Sequence, residues 1–584
     1  MCGIYALIID GYIDFKEHVK KISKLLNHRG PDNFGHSLIK LPENNVHILL
    51  IHTRLQINGE KNIPQPIKNE LGSIFLIING EIFNWHNLEK ELSYKCTESD
   101  CEIILPLYQQ YKNEPLIFFN KLEGQFSFVL VDLETRKILV GRDPIGVTPL
   151  YVSESDNKNK YKSIVFSSEM KAITEGELID SKNRKIHVFK PRSFYYNLID
   201  DFIRFNINDC NNYISFNKYA SVNQLKTNKL NGYIEENSLD TIHKNINKLL
   251  TDSVRLQLID LLNNSNGDFG VLLSGGLDSS LIASLVVRLA KEMNYNGKIK
   301  TFSIGTNKES PDLKAAKIVA DFLETEHYEY YFSIKEGLDS LKDVIWYIES
   351  YDCTSVRAST AMYLLTKQIK HNFPNLKVLY SGELSDELLC YLYGANAPNE
   401  DAFQDETVCL VSNVHYFDCL RANKTCMANN IEVRVPFTDI HYVNYILNLH
   451  PKYKRFGKIN DEIVIEKKIL RDAFKHDNYL PHEILYRKKE QFSDGISDFT
   501  KEYNWIDNLK EFTNNLYTAN QFQTLKKNFT VNIPETNEHL YYRIIFNELF
   551  GNKNEYAEYT VKRWLPKWCD SSDPSGRVQS FYTE

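Results

Sequence analysis

The stretch Ser274-Gly275-Gly276-Leu277-Asp278-Ser279-Ser280 constrains the fold of this chain more than any other. An apolar run at residues 271–273 precedes it and predicts a buried strand, and apolar residues from Leu281 to Leu289 predict a buried helix after it. A glycine turn between a strand and a helix presents backbone N–H groups at the positive end of the helix dipole. Glycine also lets the backbone approach an anion closely. The stretch therefore predicts a phosphate-binding loop in an α/β domain, although the spacing of a Walker P-loop is absent.

This loop resembles the pyrophosphate loop of N-type ATP pyrophosphatases, which split ATP into AMP and pyrophosphate. The resemblance implies that ATP binds here, with its adenosine between the first strand and two later strands of the same sheet. The residues that it assigns to ATP and pyrophosphate are Leu272, Leu273, Ser274, Gly275, Gly276, Asp278, Ser279, Ser280, Ile304, Ser381 and Gly382.

The composition is that of a globular protein, because 42% of the 584 residues are hydrophobic and 25% are charged. This length favours two to four domains. A net charge of −7 provides no electrostatic reason to expect nucleic acid or an anionic membrane as a partner. The sequence predicts no membrane span and no secretory signal. None of the ten cysteines forms a Cys-x-x-Cys pair, so we expect no zinc site and a reducing, cytoplasmic setting.

The N-terminus Met1-Cys2-Gly3-Ile4 is the second informative stretch. Cysteine is small enough for removal of Met1 to be expected, which would make Cys2 the first residue. Its free α-amine, with a pKa of about 8, could then accept the proton of its own thiol. The segments that follow are His28-Arg29-Gly30-Pro31-Asp32, His52-Thr53-Arg54-Leu55, Asn79-Gly80-Glu81 and Ser99-Asp100-Cys101-Glu102. In order and spacing they resemble class II (N-terminal nucleophile) glutamine amidotransferases.

This resemblance implies that Cys2 attacks the side-chain amide of glutamine, with the Asn79 side chain and the Gly80 N–H as donors to the oxyanion. The family usually has Ser-Ile-Ile/Val-Asp where this chain has Gln56-Ile57-Asn58-Gly59, so we expect largely backbone contacts from that segment. The residues assigned to glutamine are Arg54, Leu55, Gln56, Ile57, Asn58, Asn79, Gly80, Glu81 and Asp100.

The patterns along the chain divide it into two domains and a linker. Residues 2–205 contain short apolar strands that predict a sheet-rich α+β glutaminase domain, which the resemblance implies to be layered αββα. Residues 206–238 are rich in Asn, Tyr and Lys and predict a linker with an insertion. From residue 239 to 584, helical and strand-like segments alternate. This alternation predicts an α/β synthetase domain with a parallel sheet and a ligand site at the carboxyl ends of its strands.

A second motif in this region, Ser-Gly-Glu-Leu-Ser-Asp-Glu at residues 381–387, resembles Ser-Gly-Glu-Gly-Ser-Asp-Glu of the glutamine-dependent asparagine synthetases. The resemblance covers nearly the whole chain except the linker, and the tail at residues 564–568 is similar to the eukaryotic members. The other matching segments are Tyr351-Asp352, Arg357-Ala358-Ser359-Thr360, Arg421-Ala422-Asn423-Lys424, Glu432-Val433-Arg434-Val435-Pro436-Phe437 and Arg487-Lys488-Lys489-Glu490-Gln491-Phe492-Ser493-Asp494-Gly495.

The resemblance also implies roles in the second site. Asp278 and Asp386 are hard oxygen ligands that would bind Mg²⁺. Lys489 would offset charge on the α-phosphoryl group, and Glu383 would orient or deprotonate the attacking ammonia. The residues that it assigns to aspartate are Thr354, Ser355 and Arg357.

Two departures from the family pattern lie beside this site. Leu384 replaces a glycine, and the segment at residues 388–391 is one residue shorter than in the family. A leucine fits that turn only if its backbone is in an ordinary β or αR region. A left-handed backbone there would cost roughly 1–2 kcal/mol.

We therefore predict synthesis of L-asparagine from L-aspartate, L-glutamine and ATP, through a cysteine thioester and β-aspartyl-AMP. Ammonia would pass between the sites through an internal tunnel, which is implied by the resemblance alone. We expect small-molecule partners only, with a homodimer as one assembly left open. Two alternatives remain at this point: an adenylating synthetase for another carboxylate, and a catalytically impaired homologue that binds nucleotide or proteins.

Overall fold

The structure is a computed structural model that describes residues 1–41, 45–57, 63–97, 99–155, 161–175, 184–213, 238–263, 268–459, 461–498, 500–551 and 554–569. Asn58, which we predicted to contact glutamine, and most of the predicted linker lie outside the described residues.

The N-terminal domain contains two facing six-stranded antiparallel sheets. The strand Gly3–Asp10 alternates as its period of two requires: Ile4, Ala6 and Ile8 enter the core between the sheets, and the residues between them face the opposite side. The first sheet has the order Arg184–Val188, Tyr151–Ser155, Ser163–Ser167, Gly3–Asp10, Val46–Arg54 and Asn33–Lys40. The second has the order Asn211–Asn212, Ser193–Leu198, Lys137–Arg142, Gly124–Asp132, Ile74–Ile82 and Ile67–Lys68.

Helices cover the outer faces of both sheets. Phe15–Leu26 packs on the first sheet through Phe15, Val19 and Ile22, which recur at helical spacing. Ile104–Tyr111 and Pro115–Asn120 pack on the second. The prediction of an αββα domain is therefore confirmed. Two further helices of this domain are Trp85–Leu92 and Lys171–Thr174.

Part of the segment that we predicted to be linker packs on this domain. Asn211 and Asn212 pair with the strand Ser193–Leu198. The ring of Tyr213 stacks on Phe119 with the ring centroids 4.8 Å apart, and its hydroxyl donates to the Arg142 carbonyl at 2.6 Å. The N-terminal domain therefore continues to residue 213, because aromatic packing holds a segment whose polar composition suggested a linker.

The C-terminal domain is built on a five-stranded parallel sheet, so the predicted α/β fold is confirmed. Its strand order is Glu326–Tyr331, Lys300–Gly305, Asp268–Leu272, Leu376–Tyr380 and Glu432–Arg434. The chain proceeds outward from Asp268–Leu272 in one direction and returns to add Leu376–Tyr380 on its other side. The switch point between these two strands is where open α/β sheets bind ligands.

Helices surround this sheet, and Leu277–Glu292 begins directly after the glycine turn. A separate hairpin joins Gly457–Ile459 and Glu462–Val464. The described part of the chain has no helix long and apolar enough to cross a membrane. The other α-helices are Leu239–Asn263, Pro311–Leu323, Ile334–Ile348, Cys353–Asn372, Ser385–Leu388, Glu400–Asn413, Asp418–Met427, Ile440–Asn448, Lys468–Ala473, His482–Leu485, Phe492–Gly495, Trp505–Leu516, Ala519–Leu525, Asn537–Phe550 and Asn554–Thr560.

Candidate functional site

Cys2 lies at the start of the strand Gly3–Asp10, opposite a residue of the facing sheet. Its side chain is 8% exposed, and its backbone N–H donates to Asn79 Oδ1 at 2.9 Å. This contact leaves the Asn79 amide nitrogen Nδ2 buried, with no hydrogen-bond partner among the described residues. A buried donor without an acceptor is costly, so such an atom indicates a group that a ligand oxygen satisfies. The Asn79 amide nitrogen is therefore available to donate to a ligand oxygen beside Cys2.

The backbone beside Asn79 requires glycine. Gly80 has φ +147°, and a Cβ there would lie 1.9 Å from the Gln125 carbonyl oxygen. The sheet thus holds this backbone against its neighbouring strand and keeps side-chain atoms away from it. Burial raises the pKa of the Cys2 thiol, so the thiol needs a base before it can act as a nucleophile.

The predicted partners of the glutamine charges are all buried near this strand: Arg54, Glu81 and Asp100. Asp100 Oδ2 accepts from the Ile82 N–H at 2.9 Å. Burial, followed by the charges of Asp100 and Glu432, raises the pKa of the Glu81 carboxyl well above its ordinary value. The structure therefore brings these three groups to one end of the domain.

In the segment after Arg54, the Gln56 backbone is already hydrogen-bonded to other residues. Leu55 and Ile57 are buried. The Gln56 N–H donates to Asp32 Oδ2 at 2.8 Å, and its carbonyl accepts from Lys377 Nζ at 2.7 Å. The backbone contacts to glutamine that we predicted for this segment would have to come from its other residues, because both polar groups of the Gln56 backbone already have partners.

The C-terminal domain contributes to this first site. Glu432 contacts the Met1 ammonium group at 2.5 Å and Arg434 Nε at 2.9 Å. Arg434 Nη2 lies 3.7 Å from Glu81. Glu432 occurs in a segment that we noted only for its resemblance, and no local pattern in the sequence marks it as part of the first site.

Arg29 joins the first site to the second domain. Its Nε donates to the Cys2 carbonyl at 3.0 Å, and its Nη2 donates to Asn423 Oδ1 at 2.8 Å. Beside it, Lys424 Nζ donates to Glu169 Oε2 at 3.0 Å. These side chains are nearly inaccessible to solvent. Because unpaired buried charges are costly, the pairing holds the two domains in one arrangement.

The second site is a pocket at the carboxyl ends of Asp268–Leu272 and Leu376–Tyr380. Gly275 and Ser280 do not line the pocket: Gly275 forms the turn with φ +73°, and Ser280 is fully buried. A Cβ on Gly382 would lie 2.7 Å from the Ser279 nitrogen, so the two glycine-containing motifs touch through backbone. The predicted ATP residues that line the pocket are Leu272, Leu273, Ser274, Gly276, Asp278, Ser279, Ile304, Ser381 and Gly382.

Two lysines bridge the two aspartates of this pocket. Lys467 Nζ lies 2.6 Å from Asp278 Oδ2 and 2.7 Å from Asp386 Oδ1. Lys489 Nζ lies 2.7 Å from Asp386 Oδ2 and 4.0 Å from Asp278 Oδ2. Burial acts against the charge of Asp386, but the two lysines lower its pKa below the ordinary value. Asp386 and Asp278 in turn raise the pKa of Lys489 against the effect of its burial.

Lys467 is a residue that the sequence reasoning missed. It lies in Glu466-Lys467-Lys468, where no spacing or motif distinguishes it from a solvated lysine. Only the tertiary structure brings it between two carboxylates that are far away in sequence.

The pocket carboxylates fit a hard divalent cation. Asp278 Oδ1 is buried without a hydrogen-bond partner among the described residues, although Oδ2 pairs with Lys467. Mg²⁺ typically takes one or two carboxylates and completes its shell with phosphate and water oxygens. No cluster of three or more His, Cys, Asp or Glu suited to a metal occurs in the described ranges. With Asp278 and Asp386 as protein ligands, phosphate and water oxygens would complete the shell of such a cation.

Glu383 faces the same pocket and is held by Arg421. Arg421 Nη2 lies 2.9 Å from each Glu383 carboxylate oxygen, and its Nη1 lies 2.5 Å from Asp418. Burial raises the pKa of Glu383, although the charge of Arg421 acts in the opposite direction. Arg421 belongs to the helix Asp418–Met427, which also carries the Asn423 that contacts Arg29.

Two of the three predicted aspartate contacts line the pocket and one does not. Thr354 and Ser355 line it at the first turn of the helix Cys353–Asn372. Arg357 lies on this helix, but its Nε and Nη2 donate to the carboxylate of Glu538 at 2.8 and 2.7 Å. The cationic side chains that do line the pocket are Arg421, Lys467, Arg471, Arg487, Lys488 and Lys489.

The two departures noted in the sequence coincide with unusual backbone. Leu384 has φ +77°, and its side chain is 1% exposed in the hydrophobic core. Cys390 and Tyr391 in the shortened segment have φ +66° and +31°. A left-handed backbone costs a non-glycine residue roughly 1–2 kcal/mol, so strain accumulates on both sides of Asp386.

Comparison with known proteins assigns both halves of the chain. A glutamine amidotransferase domain model matches residues 1–201, and an asparagine synthase model matches residues 245–397 and 391–571. A probable glutamine-hydrolysing asparagine synthetase of Dictyostelium discoideum is 38% identical over 605 residues, covering 100% of this chain and 99% of the relative. One from Schizosaccharomyces pombe is 39% identical over 607 residues and covers 99% of each. The chain therefore belongs to the family of glutamine-hydrolysing asparagine synthetases.

Proposed function

We propose that the protein makes L-asparagine from L-aspartate, with ammonia released from L-glutamine and with ATP cleaved to AMP and pyrophosphate. The observation that carries the proposal is the presence of two complementary sites in one chain. One has a buried thiol beside an unpartnered amide donor, and the other has paired aspartates and lysines at the switch point of a parallel sheet. The names of the full-length relatives support the same reaction.

In the glutaminase half, Cys2 acts after removal of Met1, when its nitrogen is an α-amine. This amine accepts the thiol proton, and the thiolate attacks the side-chain carbonyl carbon of glutamine. Asn79 Nδ2 and the Gly80 N–H donate to the oxyanion. The C–N bond breaks, ammonia leaves with the returned proton, and water hydrolyses the thioester to glutamate. Arg54 would bind the carboxylate of glutamine, and Glu81 and Asp100 its ammonium group.

In the synthetase half, the β-carboxylate of aspartate attacks the α-phosphorus of ATP and pyrophosphate leaves. The backbone from Ser274 to Ser279 binds the departing phosphates, and Lys467 and Lys489 offset the growing negative charge. Asp278 and Asp386 would hold Mg²⁺, which would supply further neutralisation of phosphate charge when bound. Because the lysines already occupy most of the carboxylate oxygens, we expect substrate phosphates to replace some of these ion pairs.

Ammonia then attacks the acyl carbon of β-aspartyl-AMP, Glu383 accepts a proton, and AMP leaves as the C–O bond breaks. Thr354 and Ser355 would contact the amino acid. Arg357, which pairs with Glu538, would position the helix that carries them. An enclosed transfer of ammonia between the domains is part of the proposal, since in neutral water most ammonia is protonated and cannot attack.

The direct test measures asparagine, AMP and pyrophosphate formed from aspartate and ATP with either glutamine or ammonium. We expect equal amounts of the three products with both nitrogen donors. Other amino acids in place of aspartate test the alternative of a different carboxylate substrate. Release of pyrophosphate with another amino acid, and none with aspartate, would contradict the proposal. Nucleotide binding without any pyrophosphate release would support the catalytically impaired alternative.

The remaining assignments are also proposals. We assign the glutaminase activity to the first domain, predicted at residues 2–205, and the synthetase activity to the second, predicted at residues 239–584. A homodimer and a cytoplasmic location complete the proposal. Measurement of the particle mass in solution and fractionation of cells test these two points.

A further inference from the structure

The segment at residues 561–568 follows the helix Asn554–Thr560 and returns to the synthetase pocket. The Trp564 N–H donates to Asp352 Oδ1 at 2.8 Å. The other oxygen of the same carboxylate accepts from the Ser355 N–H and hydroxyl, both at 2.9 Å. Asp352 thus ties this segment to the first turn of the helix that carries Thr354 and Ser355. The half-buried Trp564 side chain lines the pocket at this end.

Trp564 also packs against the shortened segment that follows Asp386. The ring of Tyr391 meets the Trp564 ring edge to face at 5.8 Å, and the Tyr393 ring lies 5.7 Å from it. Tyr391 lines the pocket and has the strained φ of +31°. A backbone strained in this way persists only when its surroundings hold it. The tryptophan is one of the groups that hold it.

Farther along, the segment is fixed outside the pocket. Lys567 pairs with Glu406, and the Trp568 carbonyl accepts from Asn396 Nδ2 at 3.3 Å. The Trp568 ring contacts Tyr393 at 6.2 Å but does not line the pocket. The two tryptophans therefore belong to the same segment and touch the same tyrosine, but only one of them faces the site.

We propose that Trp564 forms a wall of the pocket that keeps water from the activated aspartate, so that ammonia is the nucleophile that reaches it. The inference rests on the proposed function and adds a positioning residue to its second half. It follows from the place of Trp564, which lines the pocket between the first turn of the helix Cys353–Asn372 and Tyr391. The indole ring there covers the pocket with apolar carbon, and its single polar group, the Nε1–H, can donate only one hydrogen bond to water.

The products of the reaction reveal whether water or ammonia attacks the activated aspartate. When ammonia attacks the acyl carbon, the acyl–oxygen bond to phosphate breaks and one asparagine forms for each AMP. When water attacks the same carbon, the same bond breaks, but aspartate is regenerated and AMP forms alone. The ratio of AMP to asparagine therefore reports how often water reaches the intermediate, independently of how fast the intermediate forms.

The experiment compares the parent protein with Trp564→Ala and with Trp568→Ala as a matched control. AMP and asparagine are measured with ATP, aspartate and a low concentration of ammonium. We expect the AMP-to-asparagine ratio of W564A to rise several-fold above that of the parent and to fall again as ammonium is increased, since the two nucleophiles compete. W568A should keep the parent ratio, and glutamine hydrolysis should be unchanged in both variants.

The other outcomes separate this inference from the proposed function. A W564A variant that forms AMP at the parent ratio would overturn the inference alone. If W564A and Trp564→Leu both form no AMP, the inference is also wrong, because a wall that excludes water is dispensable for adenylation. A parent protein that forms no AMP from aspartate would contradict the proposed function itself, and the inference with it.

Discussion

The two sites of this chain differ in the groups that can stabilise negative charge. Beside the Cys2 thiol, whose pKa burial raises, the glutaminase site presents neutral groups held by antiparallel sheets: an amide nitrogen without an acceptor among the described residues and a glycine backbone that no other residue fits. The synthetase site relies on full charges, with two lysines between two aspartates at the ends of parallel strands.

The difference follows from the charge that each reaction develops. An oxyanion carries one negative charge for a moment, and fixed dipoles stabilise it without reorganisation. A triphosphate brings several permanent charges, so its site must hold cations beforehand and keep them paired until the substrate arrives. Beside the thiol the first site therefore offers neutral dipoles, whereas the second site is balanced by ion pairs that phosphate must exchange.

The largest expected effect comes from Cys2→Ala, which removes the nucleophile that we propose for the first site. Glutamine-dependent asparagine formation should disappear, while ammonium-dependent formation remains close to the parent rate. Product assays with both nitrogen donors measure this. Cys409→Ala, which removes an exposed thiol, is the control. Asparagine formed from glutamine by C2A at the parent rate would remove Cys2 from the mechanism.

Asp386→Asn should impair synthesis with both nitrogen donors and spare glutamine hydrolysis, the opposite of Cys2→Ala. It removes a charge that pairs with both lysines, and we expect the rate of pyrophosphate release to fall by about 10²–10³ with either nitrogen donor, the size usual for a lost electrostatic group. Glutamine hydrolysis should remain measurable. Asp321→Asn, at an exposed helix position, is the matched control. If synthesis by D386N equals that of the control, the charged cluster is not part of catalysis.

Asn79→Ala is a milder change to the first site, because the Cys2 thiol stays. Loss of one oxyanion donor should lower kcat for glutamine hydrolysis by about 10²-fold and change KM much less. Asn87→Ala removes an exposed amide from the neighbouring helix and should leave both constants unchanged. A rise in KM at constant kcat would instead indicate that Asn79 only binds the ground state.

Leu384→Gly should change activity least. It alters the left-handed backbone of the turn between Glu383 and Asp386, beside the synthetase pocket. Relief of the left-handed conformation should lower KM for ATP a few-fold in the ammonium-dependent reaction. Removal of a buried leucine should lower the free energy of unfolding, because a lost leucine side chain typically costs about 2–5 kcal/mol and the strain only roughly 1–2 kcal/mol.

Steady-state kinetics measure the change in KM for ATP, and denaturant unfolding measures the change in the free energy of unfolding. Asp461→Gly relaxes another left-handed residue, at φ +64° in an exposed hairpin, and should leave KM for ATP unchanged. A higher KM for ATP in L384G would show that packing by leucine, and not strain, controls the turn.

The parallel sheet and its phosphate loop could be predicted because each depends on local patterns. Strands and helices alternate along the chain. The glycine turn follows Asp268–Leu272, the strand from which later strands are added first on one side and then on the other. The resemblance supplied Asn79 and Asp386 in the same way, as members of short ordered motifs. Each of these signals lies within a few residues of the group concerned.

What the sequence did not reveal depends on contacts between distant segments. Lys467 enters the phosphate site from a segment 189 residues after Asp278. Arg357 pairs with Glu538, which is 181 residues away. Glu432 reaches the first domain from a strand of the second. No periodicity in the sequence predicts such pairs, because they form only when distant segments pack together in the folded protein.

The helix Asp418–Met427 has a consequence for how this chain can be rebuilt. Its Arg421 holds Glu383 of one site, and its Asn423 holds the arginine that contacts the Cys2 backbone of the other. The halves are thus not interchangeable modules, although each matches a domain model of its own. A chimaera that takes its first half from another amidotransferase would inherit a nucleophile without the partner that holds it. Recombination within this family must therefore keep residues 29 and 423 together.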